Sequence, residues 1–241
     1  FVTRAPGACN ASVGIHTAFQ DSTPLLVLVG QVPRGHRGRE AFQDIDQADF
    51  LRPITKFAAE VNDPARLPEL VARALHAARS GRPGPAALIL PEDMLREEVE
   101  VEDCLPLAIA EPVPAPSDLA DLENRLASAR RPLLIAGGPL WDEAARAGLA
   151  EFAQIHGLPV ACTFRRQDIC DADADTYAGD LGYGPNPELA GLVERADLLL
   201  VIGSRLGDVP TRGYTLVKPP KPRQALIHVH PAQSELGRVY H

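Results

Sequence analysis

Six short apolar runs punctuate the chain, at residues 24–29, 86–90, 132–136, 158–162, 198–202 and 225–229. They are continuous rather than alternating, which is how strands buried on both faces read. The segments between them carry helical spacing instead. Leu67, Leu70, Val71, Ala74, Leu75 and Ala78 fall on one face of a helix opened by Pro64. Leu189, Leu192, Val193 and Ala196 repeat the pattern, with Asn186 as N-cap and Pro187 in the first turn. Ala145, Leu149, Phe152 and Ala153 mark a third helix, ended by Gly157 in a left-handed conformation. Strand and helix in alternation predict an α/β fold built as doubly wound parallel sheets with helices on both sides.

The pattern breaks once. From Glu92 to Pro116 the chain is rich in acidic residues and proline and has little periodicity, as an interdomain linker would. Ser117 is then expected to cap a new helix, with Leu119, Leu122 and Leu126 inward. The predicted organisation is a first domain at 1–92, a linker at 93–116 and a second domain at 117–241. Phe1-Val2-Thr3 reads as the tail of a strand running into Arg4, so the first domain is expected to be incomplete on its N-terminal side. The chain as a whole reads as an internal stretch of a larger enzyme.

Composition narrows the partners. The 241 residues are 45% hydrophobic and 23% charged, those of a globular protein with material for two cores. A net charge of −8 argues against nucleic acid and anionic membrane, since both would be repelled. No apolar run approaches a membrane span and no signal peptide is recognisable, so the cytoplasm is the expected setting. Cys9, Cys104, Cys162 and Cys170 are far apart with no C-x-x-C pair, which indicates neither a zinc site nor a disulfide framework. They read as small buried apolar residues.

Candidate chemistry sits in the turns after strands. Gly137-Gly138, the stretch from Gly179 to Gly184 and that from Gly203 to Gly207 are rich in glycine, as βα turns near a ligand often are. No dinucleotide fingerprint with its ribose-binding acid, no P-loop and no nucleophile elbow accompanies them. Arg4-Ala5-Pro6-Gly7-Ala8-Cys9-Asn10 follows a strand and opens a helix, whose free N–H groups suit a polar ring or an anion. Arg34, His36, Arg37 and Arg39 make a basic segment that reads first as a solvated loop and second as an anion site. His228 and His230 share one face of a strand, but no third ligand is evident; they read as packed histidines, and no metal ligand is assigned.

Three segments together carry a resemblance. Residues 4–11 match R-G-P-G-x-x-N-A with Ala5 in place of a glycine. Residues 21–32 match D-S-x-P-[LIV]-[LIV]-x-[LIV]-x-G-Q-V, and Ala41-Phe42-Gln43-Asp44 matches A-F-Q-[DE]. Arg52-Pro53-Ile54-Thr55-Lys56 and Gly81-Arg82-Pro83-Gly84-Pro85 continue the series. In order and spacing the set resembles the thiamine diphosphate enzymes of the acetolactate synthase type, over nearly the whole chain.

The resemblance implies the second half of a pyrimidine-binding domain followed by a central Rossmann-like domain. It implies thiamine diphosphate and Mg²⁺ as cofactors, a small 2-oxo acid as substrate, decarboxylation or carboligation as the reaction, and a homodimer or homotetramer. Pro6, Gly7, Asn10 and Gln43 would line the cofactor, and Phe42 and Lys56 would face the substrate. The family's catalytic glutamate would lie upstream of Phe1, and no G-D-G metal motif occurs in the sequence. A structural FAD is implied for several members, with Gly137, Gly138, Gly203 and Arg205 as its candidate contacts. His230, where an acid is common, and the departing segment Phe164-Arg165-Arg166-Gln167-Asp168 weigh against it. The rival readings are a non-catalytic α/β scaffold, a nucleotide-binding module, and a flavin or nicotinamide oxidoreductase.

Overall fold

Every residue from Pro85 to Pro91 is buried, which is why this run is apolar without interruption. It forms β3 (Pro85–Pro91), the middle strand between β1 (Leu25–Gln31) and β2 (Phe57–Glu60), and both pairings are parallel. Successive side chains of a strand point to opposite faces, so β3 feeds two cores. Ala86, Leu88 and Leu90 pack with Leu70, Ala74 and Ala78, on a helix spanning Leu67–Arg79. Ala87 and Ile89 pack with Ala8 and Ile15, on a helix spanning Ala5–Asp21, and with Leu51. In chain order these helices are α1 (Ala5–Asp21), α2 (Gln47–Leu51) and α3 (Leu67–Arg79). Ahead of α1, Val2 makes one parallel bridge to Val29: its N–H donates to Leu28 O at 2.9 Å and its carbonyl accepts from Gly30 N at 2.9 Å.

The computed structural model describes residues 1–241, in two compact units, Phe1–Glu111 and Pro112–His241. Met94, inside the stretch expected to be linker, is buried in the first core, and residues 97–115 carry no regular element. The first unit thus holds the chain past the end of β3.

The second unit is a five-stranded parallel sheet in the order β6-β5-β4-β7-β8. Its strands are β4 (Pro132–Ala136), β5 (Val160–Thr163), β6 (Tyr177–Leu181), β7 (Leu198–Ile202) and β8 (Ala225–Val229). The first of them is central, two successors lie on one side, and the chain then crosses to the other side. That reversal makes a topological switch point between β4 and β7. Leu133, Ile135, Leu199 and Val201 pack with Leu189, Ala190 and Val193 of α6 (Pro187–Arg195). On the opposite face Leu134, Ala136 and Leu200 pack with Leu149 and Ala153 of α5 (Glu143–His156), and with Leu122 and Leu126 of α4 (Pro116–Ser128). Asn186 caps α6, its side chain accepting from Glu188 N at 2.9 Å, and Gly157 ends α5 at φ 58°.

Several sequence expectations are corrected. The N-cap of α4 is Ala115, not Ser117, and the Asp118 carboxylate accepts from its N–H. Leu119 is 45% exposed, and Leu75 and Leu192 also turn outward. Each lies at the margin of its apolar stripe, where a helix begins to face solvent. The sequence pattern also missed β2 and β6. Phe-Ala-Ala-Glu and Tyr-Ala-Gly-Asp-Leu have little β-branched character, and they are extended because β3 and β5 pair with them.

Candidate functional site

Two buried glutamines organise the carboxyl end of the first sheet. Gln31 closes β1, donates from Nε2 to Ile45 O at 3.0 Å and accepts from Val32 N at 2.8 Å. Gln47 opens α2 and donates to Gly30 O at 3.0 Å, while its Oε1 has no partner. Between these staples the chain turns sharply at Ala41-Phe42-Gln43-Asp44, where Asp44 N donates to Ala41 O at 2.9 Å. Gln43 adopts φ +68°, a conformation that costs a residue with a Cβ about 1–2 kcal/mol. The turn holds Phe42 80% exposed, so this ring is not a core residue. Gln31 is the glutamine of the G-Q-V motif at the end of residues 21–32, but no sequence signal gave its buried role or singled out Gln47. Burial of an amide next to a strand end is visible only once β1 is placed.

The start of α1 lies at the same end of β1. Arg4 follows the Val2 bridge directly, and its N atom lies 3.8 Å from where a Cβ on Gly30 would stand. No side chain caps this helix, so its first N–H groups are open to another acceptor. A Cβ on Gly7 would meet Thr3 Cγ2 at 3.1 Å and Val2 Cβ at 3.2 Å, so glycine lets the helix start lie on the preceding strand. Pro6 and Asn10 are four residues apart and share one helix face. Both are exposed, opposite the buried Ala5, Ala8 and Ile15. Asn10 lies a turn further along, where it lines a shallow cavity of about 410 Å³ with Phe1, Gly14, Ile15 and the Leu25-Leu26-Val27 edge of β1.

Lys56 is placed elsewhere. It immediately precedes β2, its backbone N–H donating to Pro85 O at 2.7 Å, so it lies at the amino end of the sheet. Its ammonium donates to Ser80 O at 2.6 Å. Partial burial, and then the neighbouring Arg82 charge, push its pKa down. The structure therefore brings Pro6, Gly7, Phe42 and Gln43 to one end of the sheet and leaves Lys56 at the other.

The cations at the carboxyl end bind the chain's own acids. Arg4 pairs with Glu92 at 2.7 Å. Arg34 pairs with Asp93 at 2.9 Å and with Glu97, and donates to Asn62 O at 2.6 Å. Arg37 pairs with Asp44 and, at 3.0 Å, with Glu60. Arg34 and Arg37 are therefore not the solvated loop residues the sequence suggested; His36 and Arg39 are exposed. The Arg34 backbone N–H and then its side chain hold the Asp93 carboxyl below the usual range. Burial raises the Glu60 carboxyl despite Arg37 beside it. With these charges paired, the surface offers neutral polar groups, an aromatic ring and open backbone N–H groups.

In the second unit the candidate glycines meet at the switch point. A Cβ on Gly137 would stand 2.0 Å from Thr163 Oγ1, one on Gly138 1.9 Å from Gly203 O, and one on Gly203 2.4 Å from Gly137 O. Gly138 and Gly203 also have φ of +72° and +73°. Trp141 Nε1 donates to Gly137 O at 2.8 Å and completes the interlock. These turns require glycine for packing against each other. Arg205, two residues beyond Gly203, is half-buried. His228 shares a 2.7 Å hydrogen bond with Ser204 O, and its pKa is lowered by burial; the His230 ring lies 6.0 Å away. No group of three or more His, Cys, Asp or Glu side chains is arranged to hold a metal ion.

The family model described as "Thiamine pyrophosphate enzyme, central domain" matches residues 119–241, and that described as "Thiamine pyrophosphate enzyme, N-terminal TPP binding domain" matches residues 1–50. The chain belongs to the thiamine pyrophosphate enzyme family. Among its relatives, an acetolactate synthase large subunit of Parasynechococcus marenigrum is 34% identical over 99% of this chain and 39% of the relative. A probable acetolactate synthase large subunit of Methanocaldococcus jannaschii is 30% identical over 98% of this chain and 41% of the relative. A glyoxylate carboligase of Escherichia coli O157:H7 is 29% identical over 98% of this chain and 40% of the relative. The chain thus spans about two fifths of the length of these relatives. Within the thiamine pyrophosphate enzyme matches, Pro6, Gly7, Asn10, Phe42 and Gln43 fall in the N-terminal TPP binding domain and the glycine interlock falls in the central domain. Lys56 falls in neither. No helix is long and apolar enough to cross a membrane.

Proposed function

We propose that this chain is part of an enzyme that uses thiamine diphosphate and Mg²⁺ to decarboxylate or carboligate a 2-oxo acid. The observation that carries the reading is the joint placement of the α1 start and the Gln43 turn at the carboxyl end of β1. Because Arg4, Arg34 and Arg37 there are paired with acids, that end suits the neutral hydrogen-bonding ring of the cofactor better than its diphosphate. When bound, thiamine diphosphate supplies the electron sink for loss of CO₂. In the proposal Pro6, Gly7 and Asn10 border the ring through the outer face of α1, and the Gln43 amide hydrogen-bonds toward the reacting centre. Phe42 excludes water from it. Lys56 enters as a substrate residue through the resemblance alone, since its position separates it from the others within this unit.

An assembly of two or four copies belongs to the same reading. Phe42 at 80% exposure and Val13 at 75%, on the face of α1 that bears Asn10, are apolar groups that a second subunit would cover. No residue of this chain is proposed as a ligand of Mg²⁺. For FAD the proposal is negative: Gly137, Gly138 and Gly203 serve the packing of the switch point, and Arg205 is given no flavin. The free cysteines suit a reducing compartment, and a cytoplasmic setting is part of the proposal.

The test uses the polypeptide extended to the length of its relatives, with thiamine diphosphate and Mg²⁺ titrated against thermal stability. A ligand at about 100 times its Kd stabilises by about 2.7 kcal/mol, a shift of several degrees. Gln43→Ala should shrink that shift and slow CO₂ release from pyruvate. No shift at millimolar cofactor, together with no CO₂ from any simple 2-oxo acid, would overturn the reading.

A further inference from the structure

The loop between β1 and α2 carries an ion cluster that ties it to β2. The Arg37 guanidinium meets two carboxylates, Asp44 on the loop itself and, at 3.0 Å, Glu60 at the end of β2. The side chains of these acids are only 7% and 15% exposed. Arg37 Nη1 also donates to Ile45 O at 3.0 Å, the carbonyl that accepts from Gln31 at the end of β1. The second Asp44 oxygen accepts from Gly38 N at 3.1 Å. One guanidinium thus closes the segment 37–45 on itself and links it to β2, while Gln31 links it to β1 on the other side of β3. Inside the closed segment Glu40 has φ +52° and Gln43 φ +68°. Left-handed backbone at residues with a Cβ persists only where the surroundings over-determine it. Two buried acids on one cation are poor stabilisers, because removing them from water costs much of what the pairing returns. Burial raises the Glu60 carboxyl even with Arg37 beside it. What the cluster supplies is a fixed geometry for the residues it encloses, Phe42 and Gln43 among them.

We propose that Arg37 is a positioning residue for the reaction: through Asp44 and Glu60 it pins the turn that aims Gln43 and Phe42 at the reacting centre. The proposal rests on the reading given above, in which those two side chains face the cofactor and its substrate. Arg37 acts through them and is assigned no contact with either. A guanidinium presents its N–H groups in a fixed planar fork, and here Nη1 serves the loop while Nη2 serves β2. Removing it leaves two buried carboxylates near each other without their cation, and the Asp46 carboxylate adds to the repulsion. Glu60 is held in register with Ile89 of β3, so the loop is the side that moves. A displacement of about 1 Å in a group aimed at a reacting atom costs on the order of 100-fold in rate.

The experiment uses the polypeptide extended to the length of its relatives, with thiamine diphosphate, Mg²⁺ and whichever of pyruvate and glyoxylate the parent protein turns over faster. Arg37→Met should lower kcat by on the order of 10- to 100-fold, with KM for the acid changed by less than about 3-fold. Arg39 is exposed on the same loop, and Arg39→Met should leave both constants at the parent values. In a Gln43→Ala background, Arg37→Met should cost no more than about 3-fold further, since a residue that acts through Gln43 then has little left to position. Hydrogen exchange without cofactor is the second readout: residues 38–46 should exchange faster in Arg37→Met and at the parent rate in Arg39→Met. Should Arg37→Met fail to fold, Glu60→Gln keeps the side chain's size, loosens only the β2 end of the clamp, and should show the same pattern at smaller amplitude. Equal kcat losses from Arg37→Met with and without Gln43, or unchanged exchange at 38–46, would overturn the proposal. A parent protein with neither a cofactor-induced thermal shift nor turnover fails the reading of the site and takes the catalytic part of the proposal with it, while exchange still decides the clamp.

Discussion

Adding one methyl group at Gly138 separates a packing role from a ligand role at the switch point. The Cβ of alanine would stand 1.9 Å from Gly203 O, and the backbone there is at φ +72°. The left-handed conformation costs roughly 1–2 kcal/mol for a residue with a Cβ, and forcing apart a packed contact costs roughly 1–3 kcal/mol more. Gly138→Ala should therefore destabilise the second unit by roughly 2–5 kcal/mol, the sum of those two. For a unit of this size that is a fall in Tm of about 6 °C or more. Thermal melts followed by circular dichroism, with no nucleotide added, measure it. Gly148→Ala is the control. Gly148 lies in α5 with nothing within 4 Å of an added Cβ, so alanine should stabilise by about 0.8–1 kcal/mol through helix propensity. If Gly138→Ala melted within about 2 °C of the parent protein, the interlock would not be what requires glycine. If its deficit emerged only when FAD was present, a flavin role would be restored.

Leu88→Ala should remove about 2–5 kcal/mol in denaturant titration, because Leu88 is fully buried in the middle strand of the first unit. Gln31→Leu leaves Ile45 O and Val32 N without their partners. It should cost about 1–3 kcal/mol and speed hydrogen exchange across residues 41–47. Asp197 accepts from Arg130 N at 2.8 Å and Arg131 N at 2.9 Å, which holds its carboxyl below the ordinary aspartate range. Its stabilisation is complete above the unfolded-state pKa and lost as pH falls through the lower folded-state value. Asp197→Ala should therefore be less stable at neutral pH yet lose less on acidification, as unfolding at a series of pH values would register.

Much of the architecture follows from the sequence alone. A strand buried on both faces must be apolar at every position, so the runs that became β3, β4, β5 and β7 were legible, as was the cap at Asn186 and the stop at Gly157. β1 and β8 carry equally apolar runs but are edge strands and partly exposed, which the pattern did not distinguish. The family resemblance was legible for a related reason: the motifs around Pro6 and Gln43 sit where the backbone must turn at strand ends. Tertiary structure alone decided the rest. β2 and β6 are extended because a neighbouring strand supplies their hydrogen bonds, which no local propensity records. The ion pairs that occupy Arg34 and Arg37 join residues 59 and 63 positions apart, or 7 and 23 apart. Of the glycines that read as ligand turns, Gly138 and Gly203 face backbone carbonyl oxygens of the neighbouring turn, while Gly184 and Gly207 have nothing within 4 Å of an added Cβ. Local pattern reports what each segment buries; only the folded chain reports which distant atoms it is buried against.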